Sequence, residues 1–299
     1  MKFASIDIGS NAMRLLICRI VDEAKKGTEL KKIEFIRIPL RLGDDVFIRG
    51  KLSNEKKELF IMAMQAFKLI IDIHKVQIYR ACATSAMRDA SNGLATTRAV
   101  YRKTKLKIDV ISGEEESRLI MQSVMQNIPG KGNFMNIDVG GGSTEITIIS
   151  NGIILDSKSF DIGTVRLLDK AVDAEIWLEM KQWVESKTKK HKGIKAIGTG
   201  GNINKLYRMS AYAAKNEYMP YAELEMLYDK ISRLTFQERI NQLRFNPDRA
   251  DVIEQAAIIY LKVLSWANCN EVISPQAGLK EGIIMQLWQE WKNSGVSNQ

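Results

Sequence analysis

Asn136-Ile137-Asp138-Val139-Gly140-Gly141-Gly142-Ser143-Thr144-Glu145 is the stretch on which the fold turns. A short β-rich run over 134–139 enters three consecutive glycines, and a second run over 145–150 leaves them. Three glycines in a row weaken a sheet, so they need a reason beyond turning. Glycine lets successive backbone N–H groups converge on an anion, and the hydroxyls of Ser143 and Thr144 add donors. Asp138 and Glu145 flank the turn, so a hairpin brings both carboxylates to one mouth. Magnesium typically takes one or two carboxylates plus waters and phosphate oxygens, which makes this pair the candidate metal ligands. Asn151-Gly152 then supplies a two-residue hairpin turn into a third run over 153–160.

The same pattern opens the chain. Ser5-Ile6-Asp7-Ile8-Gly9-Ser10 echoes Asn136-Ile137-Asp138-Val139-Gly140-Gly141 at an offset of 138 − 7 = 131 residues. Both copies read strand, glycine turn, strand, so a structural duplication joined near 127–133 is the simplest account. Asp7 offers a third carboxylate, and Gly9, Ser10 and Asn11 a second donor-rich turn. The expected domains are 1–127 and 128–299, with a final helix near 279–292 packing back on the first. Between these landmarks the first half reads as a strand at 33–40, a break at Gly43-Asp44-Asp45, a helix at 59–73 and a strand at 76–83. A loop at 84–93, a helix at 94–103, a strand at 106–111 and a helix of about four turns from Ser112 follow. The second half adds helices near 174–190, 202–215, 221–233 and 249–268, with strands at 195–197 and 271–274.

Composition sets the outer bounds. The 299 residues make roughly two domains at about 150 residues each. Forty-four Lys and Arg against 35 Asp and Glu leave +9, which favours anionic partners. The basic concentrations at Arg102-Lys103-Lys105-Lys107 and Lys187-Lys189-Lys190-Lys192 do not interleave with aromatics as a single-strand-binding surface would. No apolar run approaches the ~18 residues of a membrane span, and Asp7 and Arg14 interrupt any signal-peptide reading. A cytoplasmic address is expected. Cys18, Cys82 and Cys269 are scattered without CxxC spacing, which points to buried apolar side chains rather than disulfides or zinc. His74 and His191 stand beside lysines with no partner motif, so histidine-based catalysis is not expected.

Other stretches carry donors or charge. Gly198-Thr199-Gly200-Gly201-Asn202 lacks the last glycine of a dinucleotide fingerprint, and no Walker A loop occurs. Ser112 with Glu115 three residues on is a capping box. Glu116, one step further round that helix, has no capping role and is the candidate catalytic base. Arg88, within Thr84-Ser85-Ala86-Met87-Arg88-Asp89, and Arg14 are candidates to clamp a phosphate.

Taken together, these strings resemble the exopolyphosphatase / guanosine pentaphosphate phosphohydrolase family, within the sugar kinase–heat-shock–actin superfamily. The resemblance rests on Ile6–Asn11 with Arg14-Leu15, on Ala83–Arg88, on Ile111–Leu119 and on Ile137–Glu145. Weaker matches are Gly163-Thr164-Val165-Arg166-Leu167, Gly198–Gly201, Arg249-Ala250-Asp251 and Gly278–Gly282. It implies an α/β fold of two actin-like (ribonuclease H-like) domains, each a mixed five-stranded sheet flanked by helices, facing one another across a cleft. It also implies Mg²⁺-dependent hydrolysis of a terminal phosphoanhydride. On this reading Glu116 is the catalytic glutamate, and Asp138, Glu145 and Asp7 are the metal carboxylates. The phosphate is cradled by Gly9, Ser10, Asn11, Arg14, Arg88, Gly140, Gly141, Gly142, Ser143, Thr144, Gly200 and Gly201.

Inorganic polyphosphate is the expected substrate, guanosine pentaphosphate the alternative, and a homodimer the expected oligomer. Nucleic acid and membrane are not expected partners. Ala12 and Asn202 depart from the family's usual serine and threonine, and the chain reads as a short form without the C-terminal helical domain of longer members. Two rivals share the glycine turns: an actin-like ATPase or sugar kinase, and a non-catalytic alarmone or polyphosphate sensor. The Ser112-Gly113-Glu114-Glu115-Glu116 string argues against the first, and the presence of Glu116, Asp138 and Glu145 against the second.

Overall fold

The computed structural model describes residues 1–23, 27–169, 172–191, 193–275 and 277–295; Lys192 of the second basic run lies outside them. The chain divides into two compact units. One comprises Met1–Gln126 with the segment from Gly278 onward, the other Asn127–Ala277. The second domain therefore ends at Ala277 rather than 299.

The first unit is built on β1 (Lys2–Ile8), β2 (Met13–Glu23), β3 (Gly27–Ile38), β4 (Ile78–Ala83) and β5 (Ile108–Val110). They lie in the order β3-β2-β1-β4-β5, with the β1-β2-β3 meander antiparallel and β1, β4 and β5 parallel. The second unit carries β6 (Asn133–Val139), β7 (Thr144–Ser150), β8 (Ile153–Phe160), β9 (Lys195–Thr199), β10 (Met219–Pro220) and β11 (Glu271–Ile273). Its order is β10-β11-β9-β6-β7-β8. Read as β8-β7-β6-β9-β11, its first five positions repeat the first unit's topology, parallel and antiparallel pairings included. The second sheet has six strands, not five, because the two-residue β10 adds to the edge of β11. Asn151 (φ 49°) and Gly152 (φ 78°) make the tight turn between β7 and β8.

Several elements differ from the sequence expectation. Gly43-Asp44-Asp45 is no break but lies in the helix Leu42–Arg49. Arg41 turns the chain at φ 52°, the two aspartates then complement the helix's positive end, and Gly50 closes it. The presumed loop at 84–93 contains the short helix Ser85–Asp89. The 202–215 helix stops at Met209, followed by a tight turn at Ala213–Lys215. The 249–268 stretch divides into Pro247–Ala250 and Ile253–Trp266.

In the first unit the helix Asn54–Ile73 lays Phe60, Met64, Phe67 and Ile71 on the sheet, against Ile6, Ile8, Met13 and Leu15. The helix Leu279–Asn293 packs on the helix Gly113–Val124 and on β1. Their backbones approach so closely that a Cβ at Gly282 would stand 1.8 Å from the Leu119 carbonyl oxygen. Trp288 and Trp291 stack at 5.0 Å and both meet the edge of Phe3. The second unit's core gathers Met135, Ile137, Ile146, Met180 and the fully buried Tyr260 from Ile253–Trp266.

Candidate active site

In the second unit, Asp138 near the end of β6 pairs in register with Glu145 near the start of β7. Directly opposed residues of an antiparallel pair share a face, so the two buried carboxylates are neighbours. Thr199 donates from Oγ1 to Asp138 Oδ2 at 2.8 Å, and Ser159 donates from Oγ to Glu145 Oε1 at 2.7 Å. Like charges directly opposed destabilise a sheet. The pair is a hard oxygen donor set suited to a cation, and Mg²⁺ fits it in its two-carboxylate mode with remaining positions left to water and phosphate. Among the described residues no cluster of three or more acidic, Cys or His ligands forms an all-protein cage.

The triglycine turn is held from one side. The N–H groups of Thr164, Val165 and Arg166 donate to Gly140 O (3.0 Å) and Gly141 O (2.8 and 3.1 Å). Arg166 Nε donates to Gly142 O at 2.9 Å, so all three glycine carbonyls are occupied. Among the described residues no backbone carbonyl accepts from the N–H of Gly141, Gly142 or Ser143. Gly163 permits this contact: a Cβ there would lie 2.5 Å from backbone atoms of Gly141 and Gly142. Thr144 donates from Oγ1 to Ile162 O at 2.5 Å, so its hydroxyl serves the hairpin.

Gly200 follows β9 at φ +101°, with space for a Cβ only 3.1 Å from Asp138 Oδ1, and Gly201 starts the helix Gly201–Met209. Beneath them the Tyr260 hydroxyl lies 2.8 Å from Ile137 O and 2.9 Å from Thr199 O. Burial, and then the Asp138 charge, push its ionisation far above the ordinary tyrosine value, so it stays a neutral donor.

In the first unit the residues equivalent to Asp138 and Glu145 are Asp7 and Arg14, paired in register and bonded at 2.8 Å. The sequence expectation gave them separate tasks, metal and phosphate; here each is the other's counter-charge. The turn Gly9–Asn11 is stitched to its surroundings. Ser10 Oγ lies 2.8 Å from Ser85 Oγ and accepts from the Ala86 N–H, while Gly43 N–H donates to Ser10 O and Arg41 N–H to Asn11 O. The Ser85–Asp89 helix carries Arg88, which donates to Ile111 O at 2.9 Å and sits 4.0 Å from Glu116 Oε2. Glu116 is buried in the first turn of Gly113–Val124.

Only half of the expected capping box forms there. Ser112 accepts from the Glu115 N–H, but the Glu115 carboxylate goes to Arg80 at 2.6 Å instead of returning to the cap. Arg80 also donates to Asp109 and to the Gln286 amide oxygen; burial works against its charge, but the Glu115 and Asp109 carboxylates outweigh that and raise its pKa further. Gly163, Arg166, Thr199, Ser159, Tyr260 and Ser85 are the supporting residues that sequence reading missed as site residues. Ser85, Thr199, Gly163 and Arg166 lay inside strings the sequence had already marked, whereas Ser159 and Tyr260 left no trace.

The Ppx/GppA phosphatase family model matches residues 20–290. The chain belongs to this family. A bifunctional 3-dehydroquinate synthase/phosphatase of Fusobacterium nucleatum is 28% identical over 95% of the chain, which spans 46% of that protein's length. An exopolyphosphatase from Cytophaga hutchinsonii has the same fold, with a TM-score of 0.84 at 23% identity over 97% of this chain and 98% of its own. The Ppx/GppA member from Aquifex aeolicus superposes with a TM-score of 0.75 at 27% identity over 99% of both chains. No helix among the described residues is long and apolar enough to cross a membrane.

Proposed function

We propose that the chain hydrolyses terminal phosphoanhydrides, releasing orthophosphate from inorganic polyphosphate. The observation that carries this reading is the Asp138–Glu145 pair beside a triglycine turn whose carbonyls are all occupied. With its carbonyls held by 164–166, the turn presents the N–H groups of Gly141, Gly142 and Ser143 to an anion, joined by the Ser143 hydroxyl. Asp138 and Glu145 would hold Mg²⁺, which when bound would neutralise charge on phosphate oxygens. Thr199 and Ser159 orient those carboxylates, and the neutral Tyr260 fixes the backbone just before Asp138 and just before Gly200.

Phosphoryl transfer needs mostly positioning and charge neutralisation, so the remaining demand is a base for the attacking water. Glu116 fills that role: a buried carboxylate at a helix N-terminus, beside the Arg88 guanidinium. The water's proton passes to the Glu116 carboxylate as its oxygen bonds to the terminal phosphorus, and the shortened polyphosphate leaves. The Gly9 N–H is taken up by Ala12 O, so the further phosphate donors on this reading are Ser10, Asn11 and Arg88.

The deciding measurement is orthophosphate release from polyphosphates of several lengths, guanosine pentaphosphate and ATP, with and without Mg²⁺. Mg²⁺-dependent release from polyphosphate supports the proposal. Preferential release from guanosine pentaphosphate would move the substrate to that nucleotide, and release from ATP alone would overturn the reading.

A further inference from the structure

The helix Asn54–Ile73 has two apolar faces, and the sheet explains only one. Phe60, Met64, Phe67 and Ile71 are buried on the first unit's core. On the far side Leu59, Met62, Ala66, Leu69 and Ile73 stand exposed, at spacings of 3, 4, 3 and 4 residues. Exposure reaches 62% for Met62, 63% for Leu69 and 76% for Ile73. At about 100° per residue these five positions fall within an arc of roughly 80°, a continuous seam along the last four turns of the 20-residue helix. That spacing is the a/d pattern by which one helix packs against another. Scattered apolar residues are normal on a surface; a seam in register over four turns is not.

We infer that this seam is a homodimer interface, in which the helix Asn54–Ile73 of one protomer packs antiparallel on the same helix of its partner. The occupant follows from the seam's own symmetry. Ala66, its smallest member, is at the centre, with Met62 and Leu69 next and Leu59 and Ile73 at equal distances of seven residues. A twofold axis through Ala66 sets Leu59 against the partner's Ile73 and brings Met62 alongside the partner's Leu69, one residue off direct opposition. The small central residue lets the two backbones approach to helix-packing distance.

Charge agrees with the antiparallel sense. The exposed Glu55 and Glu58 flank the seam at its start, and the exposed Lys75 stands just past its end. Lys56 is turned to the Leu40 carbonyl and Asp72 is paired with Lys68, so an antiparallel pair sets Glu55 and Glu58 near the partner's Lys75 and opposes the two helix dipoles, whereas a parallel pair would set Glu55 against Glu55. An isologous contact of this kind is the commonest closed assembly. None of these residues belongs to the proposed catalytic machinery.

Three measurements on the full chain test the inference. Sedimentation over a wide concentration range is expected to show a reversible monomer–dimer equilibrium. Leu69→Glu should weaken dimerisation at least roughly thirty-fold while phosphate release and the circular dichroism spectrum stay unchanged. Oxidised Ala66→Cys should form a disulfide-linked dimer, since Cys18, Cys82 and Cys269 are all buried. Leu59→Cys alone should not cross-link, whereas Leu59→Cys combined with Ile73→Cys should.

A wild-type monomer throughout overturns the proposal, as does a dimer that survives Leu69→Glu. Self-cross-linking of Leu59→Cys alone overturns the antiparallel arrangement.

Discussion

Glu116 and Asp138 carry the chemistry proposed for this chain, and each has neighbours that make its role testable alone. Glu116→Gln keeps the shape and the helix N-terminus but removes the base. Orthophosphate release should fall ~10²–10⁴-fold, with thermal unfolding essentially unchanged. Asp138→Asn leaves Thr199 a hydrogen-bond partner but halves the charge of the opposed pair. The rise in melting temperature that Mg²⁺ gives the wild-type chain should then largely disappear, read by calorimetry without substrate. If that shift persists in the variant, Asp138 is not a metal ligand.

The cysteines give a third expectation. Burial pushes the Cys18 and Cys82 thiols up to about 12, with Glu281 adding to the first. A raised folded-state value means stability that is full below the unfolded thiol's pKa and is lost as pH rises from there toward about 12. Melting temperature should fall across that alkaline window, less steeply in Cys82→Ala, and native protein at neutral pH should resist thiol reagents until it unfolds.

At the scale of elements, the glycine turn depends on a segment some twenty residues further along. Gly163 has an extended backbone any residue can adopt (φ −143°), so its requirement is contact alone. Gly163→Ala should displace Gly141 and Gly142, costing about 1–3 kcal/mol in chemical unfolding and a larger proportion of activity. A variant with wild-type turnover would show that the turn tolerates such a shift.

Local pattern made the hairpins and their repetition readable, because strand period, Gly runs and Asp138 or Asp7 are written in adjacent positions. It could not reveal that Arg166 reaches Gly142, or that Tyr260 lies beneath both Ile137 and Thr199, since those distances arise only when separate elements stack. Gly43-Asp44-Asp45 misled for another reason. The same residues that break a strand also begin a helix, and the choice was made by Arg41. Glu115 was half right: its backbone serves the cap, while its carboxylate answers the buried Arg80.

At the scale of the whole molecule, the two units are topological repeats that have diverged in charge. The register position holding Arg14 in one holds Glu145 in the other, so one hairpin neutralises itself and its counterpart carries two opposed carboxylates, the pair we propose for a cation. The connectivity has its own test. Residues 127–277 alone should melt cooperatively, whereas 1–126 alone should not, because the helix Leu279–Asn293 covers Gly113–Val124 and Phe3. Joining 278–293 to 1–126 through a flexible linker should restore a sharp transition in circular dichroism. Equal cooperativity with and without that helix would show its packing to be dispensable.

The place of that helix also bears on how the polypeptide is made. Nascent chains usually settle from the N-terminus forward, at about 5–20 residues per second of synthesis. Here the order is reversed: Asn127–Ala277 can close while the first unit still waits for the segment from Gly278 onward to leave the ribosome. For roughly ten seconds or more of translation the uncovered face of Gly113–Val124 is open, and it is there that a stalled ribosome would leave a chaperone its target.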